Sequence, residues 1–395
     1  MPEKKLVAAE GQHKKGRGQP VFERTRHIWK VVSLAVAAML SPYGGNETGA
    51  SEWLRAVEPR SWSFPRDHGA HPEYRTEWWY FTGCLLDAYG NRYGYQLTFF
   101  RQGIRKELPV QSTPWSVRDV FLAHFALTDL SSKTFRWTER ASRTGPGLAG
   151  ADSAGMDVWV LNWRARMEGE QILLEAVDEE KGLSLRLRPT KPVVLHGEGG
   201  LSRKGEREGQ ASYYASLTAL DTTGLIRSGR DSRPVEVRGK SWFDHEFGSN
   251  QLGPDQRGWD WFGLHLSDGR DLMIYHLRRE DGSLDPASSG TLVEPEGIWR
   301  HLALQDFSVE VTGHWRSPKS GGLYPSRWRI RVPSLELEVE LAPLMPDQEL
   351  LAESSTGVIY WEGAVEGKGR SRGRQVTCEG YVELTGYAGS LAGTF

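Results

Sequence analysis

Three ionisable residues stand among aromatic residues in the run SWFDHEFG, which begins at Ser241. In an extended strand, alternate side chains face the same side of the sheet. Trp242, Asp244 and Glu246 would therefore share one face. His245 would share the other face with the two phenylalanines. Two acids on one strand face, about 6–7 Å apart, are costly to bury unpaired. We expect this face either to meet solvent or to line a pocket in which the acids do chemistry.

The chemistry that fits this face is acid catalysis. Adding water to an isolated carbon–carbon double bond needs a proton donor and a shielded carbocation. Asp244 is the predicted donor, because apolar surroundings raise the pKa of a carboxyl group. Trp242 could stabilise the cation through its aromatic face. Glu246 or His245 could orient the water.

Other roles remain open for the two acids. They could pair with arginines such as Arg238 or Arg257 and stabilise a domain junction. Their spacing also overlaps that of the paired carboxylates of glycosidases, which makes a carbohydrate-active β protein an alternative. We expect no metal site, because the chain has neither an HExxH motif nor a cysteine pair at ligand spacing.

Aromatic residues on neighbouring predicted strands form a second set of candidates. In EWWYFTGCLL, Glu77 and Trp79 would share one face and Trp78 and Tyr80 the other. Such side chains are common in cores, but a wall of them also suits a flat apolar ligand. The predicted ligand-binding residues are Trp242, Glu77, Trp78, Trp79, Tyr80, His124, Tyr213, Tyr214, Trp259, Trp261 and Tyr275.

Short strands are the elements that must position these residues. Segments 77–86 and 92–101, joined by the turn-like DAYGN, predict a hairpin. Strand-sized segments separated by Gly, Asp and Ser continue to the C-terminus, which indicates an antiparallel barrel or sandwich. Two similar openings, TEWWYFTG at 76–83 and GWDWFGLHL at 258–266, favour a duplicated unit. The GRSRG string at 369–373 lacks the strand-turn-helix context of a nucleophile and is predicted to be a hairpin loop.

Length and composition indicate an exported protein of two domains. Of the 395 residues, we assign 1–62 to a basic lead with an export signal and linker, 63–240 to an N-terminal domain and 241–395 to a C-terminal domain. Basic residues precede the apolar stretch 31–40, which is too short for a confident membrane span. We expect a periplasmic or extracellular protein, with membrane tethering by this stretch or a cytoplasmic tail as alternatives. The net charge of −2 argues against nucleic acid as a partner. Cys84 and Cys378 are expected to be free and buried.

Nine ordered motifs between residues 71 and 389 resemble those of one family. They are HPEYRTEWWYFTG from His71, HFALTD from His124, SYY from Ser212, GKSWFDHEFG from Gly239, GWDWFGLHLSDG from Gly258, YPSRW from Tyr324, DQEL from Asp347, YWEGAV from Tyr360 and GYVELTGYAG from Gly380. Together they are similar to the AttH-like family. This family is distantly related to the carotenoid 1,2-hydratases, or hydroxyneurosporene synthases, and its members are often described as predicted secreted hydrolases.

The resemblance implies an all-β chain of two tandem lipocalin-like antiparallel domains, of barrel or sandwich type, packed against each other. Such barrels can hold one small apolar ligand. The related hydratases add water across a terminal isoprenoid double bond without a redox cofactor, and we expect no cofactor here. In the hydratases we associate catalysis with a Tyr-x-Asp pair and an upstream His-x-Trp pair. In this chain, Trp242 and Asp244 stand where the Tyr-x-Asp pair would be. Ser212, Tyr213 and Tyr214 stand where the His-x-Trp pair would be.

The predicted function is binding of an isoprenoid, polyene or lipid molecule near the domain junction. If the chain is an enzyme, we expect hydratase-like acid catalysis by Asp244. The alternative is a non-catalytic protein that handles lipids or lipoproteins together with an ABC-type membrane transporter.

Overall fold

The computed structural model describes residues 52–108, 111–113, 116–250 and 252–392. The predicted export signal lies outside these ranges. Within them, nearly all regular structure is antiparallel β-sheet. Three helical turns of the 3-10 type cover Arg66–His68, Leu304–Asp306 and Pro333–Leu335. No helix of the described residues is long and apolar enough to cross a membrane.

The strands fall into two sheets that follow each other along the chain. The first sheet contains β1 (Thr76–Asp87), β2 (Arg92–Gly103), β3 (Asp119–Asp129), β4 (Thr134–Arg143), β5 (Ala149–Ala151), β6 (Asp157–Val160), β7 (Trp163–Glu168), β8 (Gln171–Val177), β9 (Lys181–Pro189), β10 (Val194–Leu195), β11 (Leu201–Arg203), β12 (Ala211–Ser228) and β13 (Val235–Asn250). The second contains β14 (Gln256–Leu266), β15 (Asp271–Arg279), β16 (Ser289–Val293), β17 (Trp299–Ala303), β18 (Ser308–Arg316), β19 (Leu323–Val332), β20 (Leu337–Pro343), β21 (Glu349–Ala352), β22 (Val358–Ser371) and β23 (Arg374–Leu384).

Each sheet is a curled meander in which the last strand returns to pair with the first. The order in the first sheet is β4-β3-β2-β1-β13-β12-β9-β8-β7-β6-β5, with β10 and β11 beside β12. The order in the second is β17-β16-β15-β14-β23-β22-β20-β19-β18, with β21 beside β22. Because β1 pairs with β13 just as β14 pairs with β23, the two sheets share one plan. The prediction of two tandem lipocalin-like antiparallel domains is confirmed.

The chain passes from the first sheet to the second at a later position than the predicted domain boundary. Strand β13 runs without a break through positions 240 and 241, and the next sheet begins with β14 at Gln256. The SWFDHEFG run therefore belongs to the first sheet, where it lies between β1 and β12. This placement follows from its hydrogen bonds, because every residue from Ser241 to Gly248 pairs with a residue of β1.

Alternate side chains of β1 and β13 face two different environments. Trp79, Phe81 and Phe243 are fully buried in the core of the first sheet. Tyr80 and Trp242 belong instead to a separate cluster that joins the two sheets. The predicted division of faces on both strands is thus confirmed. Each buried tryptophan removes about 150–250 Å² of surface from water, which contributes roughly 4–6 kcal/mol to the free energy of folding. Both clusters therefore stabilise the packing of the sheets.

Local predictions about turns and cysteines are also confirmed. The β1–β2 hairpin turns at Gly90, whose φ of 84° favours glycine. The Asp87 side chain accepts hydrogen bonds from the backbone of Tyr89 and Asn91 in that turn. The GRSRG string lies in the hairpin between β22 and β23. Cys84 and Cys378 are free and buried, one in each sheet.

Candidate functional site

A cavity of about 120 Å³ lies between the two sheets. This volume is comparable to cavities of about 150 Å³ that hold a benzene molecule. Its wall consists of aromatic side chains with a few charged groups among them. The lining residues are Trp78, Tyr80, Gln96, Thr98, Phe100, Lys204, Tyr214, Asp244, Glu246, Leu252, Trp259, Trp261, Tyr275, Leu277, Tyr360, Glu362 and Glu383. Trp78, Phe100, Trp259 and Glu383 are half-buried, and the other lining residues are buried.

Asp244 lies in this wall and is paired with neutral groups. Tyr214 donates its hydroxyl to Oδ2 at 2.7 Å, and the Trp242 indole donates to Oδ1 at 2.6 Å. Ser216 also donates to Oδ1. Burial raises the pKa of Asp244 to about 7, even though these three hydrogen bonds act in the opposite direction. No arginine or lysine of the described residues forms an ion pair with this carboxylate.

Behind Asp244, a line of hydrogen bonds leads away from the cavity. His196 lies with Nε2 2.6 Å from Ser216 Oγ and Nδ1 2.8 Å from Thr291 Oγ1. Burial lowers the pKa of His196 to about 3, so the imidazole is neutral and has one donor and one acceptor nitrogen. Ser216 can therefore turn its proton towards His196 when Asp244 is itself protonated. The chain of contacts suits a carboxyl group that changes protonation state.

Glu246 differs from Asp244 because a cation neutralises it. Lys204 Nζ lies 2.9 Å from Oε1 of Glu246, and Ser212 donates to the same oxygen. The ammonium group also lies over the rings of Tyr214 and Tyr275, at 5.1 and 4.5 Å from their centroids. Burial opposes the charge on Lys204, but the Glu246 carboxylate raises its pKa overall. The predicted pairing of both acids with Arg238 or Arg257 is wrong, since a lysine holds one acid and neutral donors hold the other.

The second sheet adds two further acids to the cavity. Glu362 and Glu383 are cross-strand partners on β22 and β23. The Trp259 indole donates to Glu383 at 2.9 Å. Burial raises the pKa of Glu383 to about 7, and burial together with the charge of Glu383 raises the pKa of Glu362 well above its usual value. The surroundings on this wall therefore favour the protonated form of both carboxyl groups.

Eight of the residues predicted from the sequence line the cavity. They are Asp244, Glu246, Trp78, Tyr80, Tyr214, Trp259, Trp261 and Tyr275. Trp242 does not line it but touches Asp244 through its indole. His124 lies behind the wall, where Nδ1 is 2.6 Å from the hydroxyl of Tyr360. Tyr213 faces away and donates to the backbone of Glu58.

The structure does not bring His245, Glu77 and Trp79 to the cavity, because they lie on the opposite face of the first sheet. His245 Nε2 is 2.9 Å from Glu77 Oε1, and Trp79 stacks on the His245 ring at 5.0 Å. Arg101 donates to the other Glu77 oxygen at 3.0 Å. Although burial opposes ionisation, Arg101 and the two neighbouring histidines hold the pKa of Glu77 well below its usual value.

His71, Glu77 and His245 also form a group whose ligand-type atoms lie within 4.8 Å of one another, within the described part of the chain. The residues do not fit a metal ion well. Both Glu77 oxygens already accept hydrogen bonds, and the Arg101 guanidinium supplies the positive charge. A metal ion would have to displace these bonds, so we interpret the group as a buried structural network.

Several cavity residues were missed from the sequence. Tyr360 and Glu362 occur at alternate positions in YWEGAV, and Tyr381 and Glu383 in GYVELTGYAG. This is the same pattern of acids among aromatic residues that marked SWFDHEFG, so period-two spacing could have identified both glutamates. Lys204 lies in the charged loop RKGERE, where no pattern distinguishes it from solvated neighbours.

Comparison with known proteins agrees with this architecture. The pattern of the AttH-like family matches residues 55–387. The AttH protein of Nitrosomonas europaea is 34% identical, with a TM-score of 0.75 over 85% of this chain and 99% of that one. Kievitone hydratase from Nectria haematococca is 16% identical, with a TM-score of 0.63 over 86% and 97%, and shows a shared fold. No curated sequence matches significantly. The match over most of the chain shows that this protein belongs to the AttH-like family.

Proposed function

We propose that the cavity binds an apolar small molecule with a carbon–carbon double bond, of isoprenoid or polyene type, and that Asp244 protonates it for hydration. The proposal depends on a buried carboxyl group in the wall of an aromatic cavity, with which no cation of the described residues forms an ion pair. A pKa of about 7 makes Asp244 both a donor and an acceptor at neutral pH. The fold shared with a hydratase supports the same class of reaction.

The proposed step balances with water as the only co-reactant. Asp244 gives its proton to one alkene carbon, and a carbocation forms at the other. The rings of Trp261 and Tyr214 lie in the same wall and can stabilise that cation by cation–π attraction, worth about 0.5–2 kcal/mol. A water oxygen bonds to the cation and loses a proton to a carboxylate. Glu246 is suited to orient that water, whereas His245 faces the other side of the sheet.

The test has two stages. Mass spectrometry of organic extracts of the purified protein identifies co-purified ligands. Those ligands and a panel of isoprenoid alkenes are then incubated with the protein in ¹⁸O-labelled water. We expect a product heavier by one labelled water from the wild type and at least a hundredfold less from Asp244→Asn, with ligand binding retained. Equal turnover by both proteins would refute the role of Asp244.

A second outcome would favour the non-catalytic alternative. If a co-purified lipid binds without conversion and Asp244→Asn retains both binding and cellular role, the protein is a lipid or lipoprotein carrier, for which a membrane transporter is the expected partner. Oligosaccharides that quench the fluorescence of Trp78 and Trp259 would instead favour a carbohydrate-active protein. The predominantly aromatic wall favours the apolar ligand over both.

We also propose that the protein acts outside the cytoplasm, in the periplasm or beyond. The support is the basic lead followed by the apolar stretch 31–40. Fusing residues 1–62 to an alkaline phosphatase that lacks its own signal should give active enzyme in the periplasm. Deletion of residues 31–40 from the fusion should abolish that activity, and an inactive intact fusion would contradict export.

A further inference from the structure

Part of the cavity wall carries polar groups without partners. No atom of the described residues lies at good hydrogen-bonding distance and angle to either carboxyl oxygen of Glu362, to the Tyr80 hydroxyl or to the Gln96 carbonyl oxygen, although the Tyr80 hydroxyl and the Glu362 carboxyl group are close enough to interact weakly. Glu362, Tyr80 and Gln96 are 2%, 7% and 1% exposed. All three side chains line the cavity. Bulk water therefore does not satisfy these groups.

The other acids of the cavity, unlike Glu362, have clear hydrogen-bond or ion-pair partners. Asp244 accepts three hydrogen bonds, Glu246 binds Lys204, and Glu383 accepts the Trp259 indole. Buried polar groups in folded proteins nearly always have partners, since an unmade hydrogen bond costs stability. An unpaired carboxyl group facing a cavity is thus an observation that points to a ligand.

The three groups come from both sheets and can act together. Tyr80 lies on β1 directly beside Asp244 on β13, and Gln96 lies on the adjacent β2. Glu362 belongs to β22 of the second sheet, close enough to the Tyr80 hydroxyl for that group to lower its pKa. One hydroxyl cannot satisfy two carboxyl oxygens. Glu362 thus keeps hydrogen-bonding capacity towards the cavity.

Glu362 should offer both a donor and an acceptor. Burial and the charge of Glu383 raise the pKa of Glu362 well above its usual value and so favour the neutral carboxylic acid. A protonated carboxyl group donates through its O–H and accepts through its carbonyl oxygen. Such a pair matches a hydroxyl or carbonyl group and would bind a second anion poorly.

We propose that Glu362, with Tyr80 and Gln96 beside it, forms a subsite that hydrogen-bonds a hydroxyl or carbonyl group of an uncharged and otherwise apolar ligand. The inference rests on the proposed function, because it assumes that the cavity takes an apolar molecule. It specifies the ligand further. The apolar molecule must carry a polar group, and this group must lie within one cavity width of the carbon that Asp244 protonates.

The test compares p-cresol with p-xylene, which has nearly the same shape but a methyl group in place of the hydroxyl. Affinities are measured by isothermal titration calorimetry at pH 7. We expect Glu362→Leu to lower the ratio of the p-cresol to the p-xylene affinity by about three- to tenfold, as one lost hydrogen bond would. Glu362→Gln should keep the ratio within about twofold, because an amide also donates and accepts.

Controls separate this effect from damage to the fold. The p-xylene affinity of Glu362→Leu should stay unchanged, which shows that the cavity is intact. Glu366→Leu alters an exposed residue of the same strand and should leave the ratio unchanged. Tyr80→Phe is the second variant and should lower the ratio in the same direction. A crystal of the p-cresol complex should place the hydroxyl within hydrogen-bonding distance of Glu362.

Two results would overturn the inference, and only the second would also overturn the proposed function. If both probes bind but neither Glu362→Leu nor Tyr80→Phe changes the ratio, or if only a water contacts Glu362 in the complex, the subsite is refuted while the apolar cavity stands. If neither probe binds the wild type, the proposed function and the subsite fail together.

Discussion

At the scale of the residue, the partner decides what a buried acid can do. Asp244 and Glu77 lie on adjacent strands of one sheet and are both almost fully buried. Glu77 has the Arg101 guanidinium beside it and a lowered pKa. The donors that Asp244 has among the described residues are neutral, and its pKa is about 7. The first arrangement stabilises an ion, whereas the second gives a proton donor at neutral pH.

This difference predicts how Asp244→Asn changes stability with pH. The pKa of Asp244 rises from 3.8 to about 7 on folding, so between these values the folded state binds more protons than the unfolded state. The stability of the wild type must therefore fall as pH rises across this window, by about 2–4 kcal/mol from this group. Asparagine does not titrate. Urea unfolding from pH 4 to pH 8 should show a smaller decline for the variant.

The comparison uses the difference between the two curves, which cancels the other titrating groups. Ser216→Ala serves as a matched control, since it removes a donor to Asp244 but keeps the carboxyl group, and its curve should decline at least as steeply as that of the wild type. Parallel curves for the wild type and Asp244→Asn would mean that folding does not raise the pKa of Asp244, against its proposed role.

At the scale of the element, the alternation of β1 and β13 keeps the two environments apart. A slip of β13 by one residue would move Asp244 into the core, and a slip of β1 by one residue would move Glu77 into the cavity. The sequence predicted these faces because the period of two is a local property. It could not reveal Lys204 or the encounter of Tyr80 with Glu362, because those contacts depend on which strands meet across the junction.

The network on the core face leads to a prediction about stability. Glu77→Gln removes one of the two carboxylates that pair with the Arg101 guanidinium, which is 1% exposed and keeps Asp119 at 3.0 Å. Breaking a buried ion pair by removing one partner costs about 3–5 kcal/mol. Thermal and urea unfolding at pH 7 should show a loss near the lower end of this range, because Asp119 still pairs with Arg101. Glu175→Gln, at an exposed position of β8, should stay within about 0.5 kcal/mol of the wild type. A loss under 1 kcal/mol would show that the pair adds little.

At the scale of the whole molecule, the cavity exists because the two sheets pack face to face without filling every gap. Gly94 on β2 lies at this junction, where a Cβ atom would come within 2.5 Å of the Tyr381 hydroxyl and 2.9 Å of Ala364 Cβ. The architecture of two similar domains could be predicted from the repeated openings at residues 76 and 258. The cavity could not, because its position depends on side-chain volumes that meet only when the sheets dock.

Gly94→Val should therefore force the sheets apart. Overpacking a close contact costs about 1–3 kcal/mol, and the shift should also weaken p-xylene binding because the same junction forms the cavity wall. Calorimetric titration and urea unfolding measure both effects. Gly389→Ala, at a position with open space around it, should change neither. A Gly94→Val protein with normal stability and binding would show that the cavity does not depend on this packing.

The proposed catalytic role of Asp244 requires that its carboxyl group be protonated up to neutral pH. Infrared difference spectra of the wild type minus Asp244→Asn isolate the carbonyl stretch of this one carboxyl group as pH is changed. We predict that the band of the protonated acid is present at pH 5 and disappears with a midpoint near pH 7. A midpoint near pH 4 would mean that the carboxylate at the cavity is permanently charged, and Asp244 could not then supply the proton for hydration.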